Sequence, residues 1–234
     1  MAEQLSEYIT LDDDYLENCM NKSSNDQFGE DLISYFLTQN NNPNAESFGL
    51  AAIEAKCDGL NDLTLDEILE LLEFEQDYRD QMSVTELALF ESLDRSKQLL
   101  YLQSAYNATV MSEDLYPPSA TDPCSIYNGI GDAYRHALWN ALCTVRLGET
   151  LTEQLTTAHE EKPFEYPLQS KEKQMDLYNN ARGREIAFGA GLVWQLVKTA
   201  LENGELRYLT QLNSSSNPLE RCRATGSSLL TPTN

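Results

Sequence analysis

Two histidines occur in the 234 residues, and each stands among acids and amides. In the stretch GDAYRHALWN, Asp132, His136 and Asn140 follow one another at intervals of four, with Arg135 and Trp139 beside them. Each step of four residues drifts only ~40° around a helix of 3.6 residues per turn, so the three share a face. A second stretch, AHEE, supplies His159 and Glu160. A third, MDLYNNARGRE, supplies Asp176, Asn179, Asn180, Gly183 and Arg184. Asp176 and Asn180 share a helical face, as do Asn180 and Arg184. Helix interiors normally avoid such groups.

Imidazole and carboxylate arriving from separate helices are what a divalent metal ion requires. The expected ligands are His136, His159 and Asp176, and a divalent metal ion is the cofactor such a set would take. His-Asp phosphohydrolases place a histidine, a His-acid pair and an aspartate on successive helices. His136, His159–Glu160 and Asp176 follow that order, with glutamate in the pair. A metal-free reading makes His136 or His159 a general base oriented by Asp132 or Asp176, with Arg135 or Arg184 holding an anion. The expected catalytic set is therefore His136, His159, Asp132, Glu160 and Asp176. The expected substrate-binding set is Arg135, Asn140, Asn179, Asn180 and Arg184. A structural reading competes with both: Asp132 would cap its helix, His159 would satisfy a carbonyl, and Asn179 and Asn180 would tie helices together in a buried network. A single site requires His136, His159 and Asp176 to point into one region.

The elements that must position these residues read as helices almost throughout, and no strand is expected. Thr64 with Glu67, Ser83 with Glu86 and Thr150 with Glu153 each have the capping-box spacing that starts a helix. Leu65, Ile68, Leu69 and Leu72 then recur at helical period. YPPSATDPCSIYNG, with three prolines and an Asn-Gly pair, reads as a long loop leading into the first motif. The span from Ser170 to Gly204 reads as one long helical stretch. Its glycines, Gly183, Gly189 and Gly191, cost ~1 kcal/mol each against alanine, which close packing would offset. The last segment, NSSSNPLERCRATGSSLLTPTN, is polar and expected to be disordered. The expected organisation is all-α: an acidic helical segment or linker over 1–82, a compact helical domain over 83–212, and a polar tail over 213–234.

Charge separates the two halves. Residues 1–123 carry 26 acids and 5 bases, whereas residues 124–234 carry 12 and 11. A surface of that sign repels phosphate backbones and disfavours nucleic-acid binding. An enzyme acting on nucleic acid survives only through Arg135, Arg182 and Arg184. No apolar run approaches the ~18 residues of a membrane span. The beginning, MAEQLSEYITLDDD, has neither the basic nor the apolar region of a signal peptide. The expectation is a cytoplasmic protein, or a piece of a longer one that carries its export signal elsewhere. Five widely spaced cysteines exclude a zinc ribbon and argue against a dense disulfide framework. Cys143, on a stripe with Trp139, reads as a small buried apolar residue.

The segment from Asn128 to Gly189 resembles a bacterial family known only as a domain of unknown function, whose pattern reads DAxRHxxWN, then AHE, then MDLxNNxxGR. Asp132, Arg135, His136, Trp139, Asn140, His159, Glu160, Asp176, Asn179, Asn180, Gly183 and Arg184 stand where that pattern wants them. Upstream, NNPNAESFGLAAIEAKCDG is similar to a segment found ahead of variable C-terminal domains in large secreted or surface proteins of Bacteroidetes. That resemblance implies the C-terminal part of a polymorphic toxin-like protein, secreted, with a cognate inhibitor protein as partner. The function expected from the whole reading is a hydrolase acting on a phosphoester- or lipid-type substrate. The alternative is a non-enzymatic helical interaction module.

Overall fold

The computed structural model describes residues 64–161, 169–217 and 220–234, with single helical positions between 31 and 52. Among these residues seven helices and two short strands form: α1 (Leu65–Arg79), α2 (Val84–Glu91), α3 (Arg95–Leu115), α4 (Ile130–Leu147), α5 (Glu149–His159), α6 (Gln169–Ile186), α7 (Val193–Glu202), β1 (Arg207–Thr210) and β2 (Leu229–Pro232). None of the helices is long and apolar enough to cross a membrane. Contacts divide the chain into two compact units. The first takes in the described residues up to Asp80 together with Leu93–Leu102, and the second takes in Gln81–Ser92 and Gln103–Asn234.

In the first unit, Thr64 and Glu67 form the expected capping box, each side chain accepting from the other's backbone N–H. Helix α1 then buries Leu65, Ile68, Leu71 and Leu72. Glu75 is buried as well, but Arg79 and Arg95 reach it at 2.9 and 2.6 Å. Burial pushes its pKa up, and the two guanidinium groups more than offset that, so Glu75 is held below the usual carboxylate range.

Helix α4 is the centre of the second unit. It buries Ala133, Ala137, Leu138, Trp139, Ala141 and Cys143, and packs against α5, α6, α7 and β1. Its closest neighbour is α6. A Cβ added to Gly183 would overlap the carbonyl oxygen of Ala137 and lie 2.9 Å from that residue's Cα and carbonyl carbon. The missing side chain at Gly183 is what lets the two backbones meet.

Three expectations need correcting. The span from Ser170 to Gly204 is two helices, because α6 ends at Ile186 and α7 begins at Val193. Between them Gly191 adopts φ 135°, which breaks the helix and which other residues rarely reach. Thr150 and Glu153 form no capping box: the N-cap is Gly148, two residues earlier, and Glu153 reaches Arg184 instead. The described residues of the polar tail are ordered, and they supply a strand. β2 pairs antiparallel with β1 from Arg207 opposite Pro232 to Thr210 opposite Leu229. A disulfide joins Cys222 to Cys124 across 98 residues. Lys171 Nζ donates to the carbonyls of Thr225, Gly226 and Ser228, and the Glu172 carboxylate accepts from Ala224 N at 2.7 Å. The tail is held by polar groups of α6 and by sulfur, so its low hydrophobicity was a poor guide to its order.

Gly183→Ala should lower the stability of the second unit by about 1–3 kcal/mol through overpacking. Helix propensity alone would raise it by ~1 kcal/mol, so the sign of the change in a denaturant titration decides the matter. Replacing Cys124 and Cys222 by serine should cost up to about 5 kcal/mol, the loop-closure value for roughly 100 residues, with an intact fold at 25 °C and a lowered midpoint.

Candidate functional site

Helix α4 begins with Gly129 as its N-cap, which places Asp132 in the first turn and near the positive end of the helix dipole. One carboxylate oxygen, Oδ2, accepts from Asn128 N at 2.7 Å. Asn128 holds a left-handed backbone, φ 65°, and is braced on two further sides. Its side-chain amide donates to the Cys222 carbonyl at 3.0 Å, and its carbonyl accepts from Leu209 N of β1 at 2.8 Å. The N-cap is Gly129 and no side chain caps the helix, so Asp132 does not cap it, contrary to the structural reading; its Oδ2 ties the loop before α4 to the first turn. Its other oxygen, Oδ1, faces inward, 2.5 Å from Arg135 Nη2 and 3.6 Å from His136 Nε2.

The orientation of His136 follows from donor and acceptor chemistry alone. Arg184 can only donate, and its Nη1 meets Asn140 Oδ1 at 3.1 Å. That side of the Asn140 amide is thus oxygen, and its Nδ2 donates to the His136 carbonyl at 3.1 Å and to Asn180 Oδ1 at 2.7 Å. Asn180 Oδ1 is an acceptor, so the Nδ1 of His136, 3.1 Å away, must carry the proton. The other nitrogen, Nε2, presents a lone pair to Arg135 at 3.0 Å and to Asp176 Oδ1 at 3.3 Å. Asp176 Oδ1 is shut off from solvent and makes no hydrogen bond. One atom each of Asp132, His136 and Asp176 lie within 4.8 Å of one another.

Protonation states follow from the surroundings. Burial pushes the Asp132 pKa up, but Arg135, His136 and the Asn128 N–H more than offset it and hold the group below the usual carboxylate range. Burial and the Arg135 charge lower His136 to about 4, against the pull of Asp132 and Glu160. Asp176 is raised well above the ordinary value by burial and by Glu160 and Asp132, with Arg135 opposing. The set is one carboxylate, one neutral imidazole and one carboxyl group that resists ionisation.

Beside it opens a cavity of about 190 Å³, lined by Asp132, Arg135, His136 and Asp176 and also by His159 and Glu160. His159 shares the cavity but is not among the three clustered ligand atoms. Its Nδ1 lies 2.8 Å from Glu86 Oε2, and its ring meets the edge of Trp139 at 5.1 Å. Glu160 Oε1 accepts from Asn180 Nδ2 at 3.3 Å and lies 3.7 Å from His136 Nδ1. Asn140, Asn180 and Arg184 stand behind the cavity wall, with Thr156 donating to Asn140 Oδ1 at 2.8 Å. Asn179 faces elsewhere and pairs with both backbone groups of Arg207, at 2.8 and 2.9 Å.

Sequence reading missed Glu86, Tyr127, Asn128, Glu172 and Lys173. Four of them line the cavity, and Glu86 orients His159 from behind it. In the sequence Glu86 reads as the far end of the Ser83 capping box, which it also completes. Its complete burial was the missing signal, and a local motif cannot show that.

The fold and site define a helical domain with a buried Asp-His-Asp group at a polar cavity. Residues 93–202 match the model of a protein family described as a domain of unknown function, DUF6973. The matched span contains all three clustered residues and the helices that carry them. No curated protein and no solved structure matches the chain.

The His136 imidazole should titrate near pH 4 in a heteronuclear NMR titration, not near 6.5. Asp176 gives a second check. Its folded pKa is raised, so the unfolded chain releases that proton first and folding becomes costlier as pH rises above 3.8. Asp176→Asn removes that cost. It should be at least as stable as the wild type at pH 7, with the difference shrinking towards pH 4; a variant markedly weaker at pH 7 would contradict the assignment.

Proposed function

We propose that the cavity is the active site of a hydrolase that uses a divalent cation, held by Asp132, His136 and Asp176, to cleave a phosphoester. The observation that carries the reading is the meeting of two carboxyl groups and an unprotonated imidazole nitrogen within 4.8 Å, on a cavity wall. A cation there would displace the proton from Asp176 and supply a bound water of lowered pKa as nucleophile. His159, oriented by the Glu86 carboxylate, lines the same cavity and would serve as general base. Arg135 and Lys173, the basic residues of the lining, suit an anionic substrate. The polar lining favours a phosphate group over an acyl chain.

The ligand set differs from the expected one in that Asp132 takes the place of His159. The toxin-like context rests on the upstream resemblance, whose segment lies almost wholly outside the described residues. The Cys124–Cys222 disulfide supports it indirectly, since such bonds persist in oxidising, extracytoplasmic compartments.

One observation favours the non-enzymatic reading: Asn140, Asn180 and Thr156 form a buried, mutually satisfied network that could specify a fold without chemistry. The cavity beside His136 supports the enzyme. The test is metal content and hydrolysis of bis(p-nitrophenyl) phosphate. The wild type should bind about one Mn²⁺ or Zn²⁺ per chain. His136→Ala should lose that ion, and Glu86→Gln should keep it while losing ~10–100-fold in rate. A wild type that binds no metal and cleaves nothing, beside a His136→Ala that unfolds early, would establish the network reading instead.

A further inference from the structure

A cation already lies against two of the three candidate ligands, and it is the protein's own. Arg135 Nη2 is 2.5 Å from Asp132 Oδ1 and 3.0 Å from His136 Nε2. A divalent ion bound by those two atoms at ~2.0–2.2 Å would need the space that Nη2 fills. The guanidinium cannot yield by losing its proton, because it stays charged at any ordinary pH. It can yield only by moving.

The geometry permits that movement. The Arg135 side chain is 29% exposed, against 6% for Asp132 and 4% for His136. It lines the open cavity, whereas the atoms it covers are buried. We propose that Arg135 is a displaceable counter-ion. It neutralises Asp132 and covers His136 Nε2 in the metal-free protein, swings into the cavity when a divalent cation enters, and there holds the anionic group of the substrate. This rests on the metal reading above and adds the order of events: the metal must bind before the anion.

Charge supports that order. Four carboxyl groups line the cavity, on Asp132, Glu160, Glu172 and Asp176, against Arg135 and Lys173. An anion entering that lining without a metal meets a surplus of acid, and Arg135 is engaged with Asp132. A divalent cation balances the surplus and releases a planar fork of donors suited to phosphate.

The experiment is titration of the full chain with Mn²⁺ alone, by calorimetry and by the electron paramagnetic resonance of free Mn²⁺. The wild type, Arg135→Gln and Arg135→Lys are compared. Arg135→Gln should bind Mn²⁺ ~10-fold tighter than the wild type, the value expected if displacing the guanidinium costs about 1.4 kcal/mol. Arg135→Lys, which keeps the charge, should fall between. Inorganic phosphate should bind the wild type only when Mn²⁺ is present, and should bind Arg135→Gln weakly even then. Equal Mn²⁺ affinity in wild type and Arg135→Gln would overturn the displacement while leaving the metal reading standing. Absence of binding in both would overturn the metal reading and this proposal with it. Should Arg135→Gln not fold, phosphate binding to the wild type decides: phosphate that binds equally well without Mn²⁺ would overturn the proposal.

Discussion

The backbone contact between α4 and α6, made at Gly183 against the carbonyl of Ala137, is the constraint on which the rest depends. His136 and Asn140 flank Ala137 on one helix. Asp176, Asn180 and Arg184 lie along the same region of the other. Their hydrogen bonds run from 2.7 to 3.1 Å and weaken steeply when stretched. A side chain at position 183 would hold the helices apart by more than those bonds can span. The glycine thus costs helix propensity and returns a distance between helices that no larger residue permits.

That distance closes a network whose direction is fixed. A guanidinium that only donates sets the Asn140 amide, which sets Asn180, which assigns the proton of His136 to Nδ1. The lone pair on Nε2 is left facing two carboxyl groups, one charged and one not. Burial makes Asp176 expensive to ionise, as its raised pKa shows, whereas the partners of Asp132 more than offset the cost of burying its charge. Groups with pKa values pushed apart in one cavity occur both at functional sites and in structural ion networks.

The far end of the chain reaches the same place. Cys222 is bonded to Cys124, its carbonyl accepts from the Asn128 side chain, and the Asn128 N–H holds Asp132. Strand β1 reaches Asn128 through Leu209 N. The loop before α4 is a brace between the tail and the first turn of the helix that carries the site, which explains why so polar a tail is ordered.

The sequence by itself determined most of the helices and the shared face of Asp132, His136 and Asn140. The Thr64–Glu67 and Ser83–Glu86 boxes, the phase of Asp132, His136 and Asn140, and the buried place of Cys143 all follow from local periodicity. A helical phase depends on the backbone bonds of neighbouring turns and is legible in a few residues. The small glycine at 183 was legible as close packing, but its partner was not. Only the tertiary structure decided that Glu86 turns inward to His159, that Asp132 joins His136 and Asp176, and that the tail pairs with β1. Each of these depends on groups far apart in the chain, brought together by packing that leaves no period in the sequence.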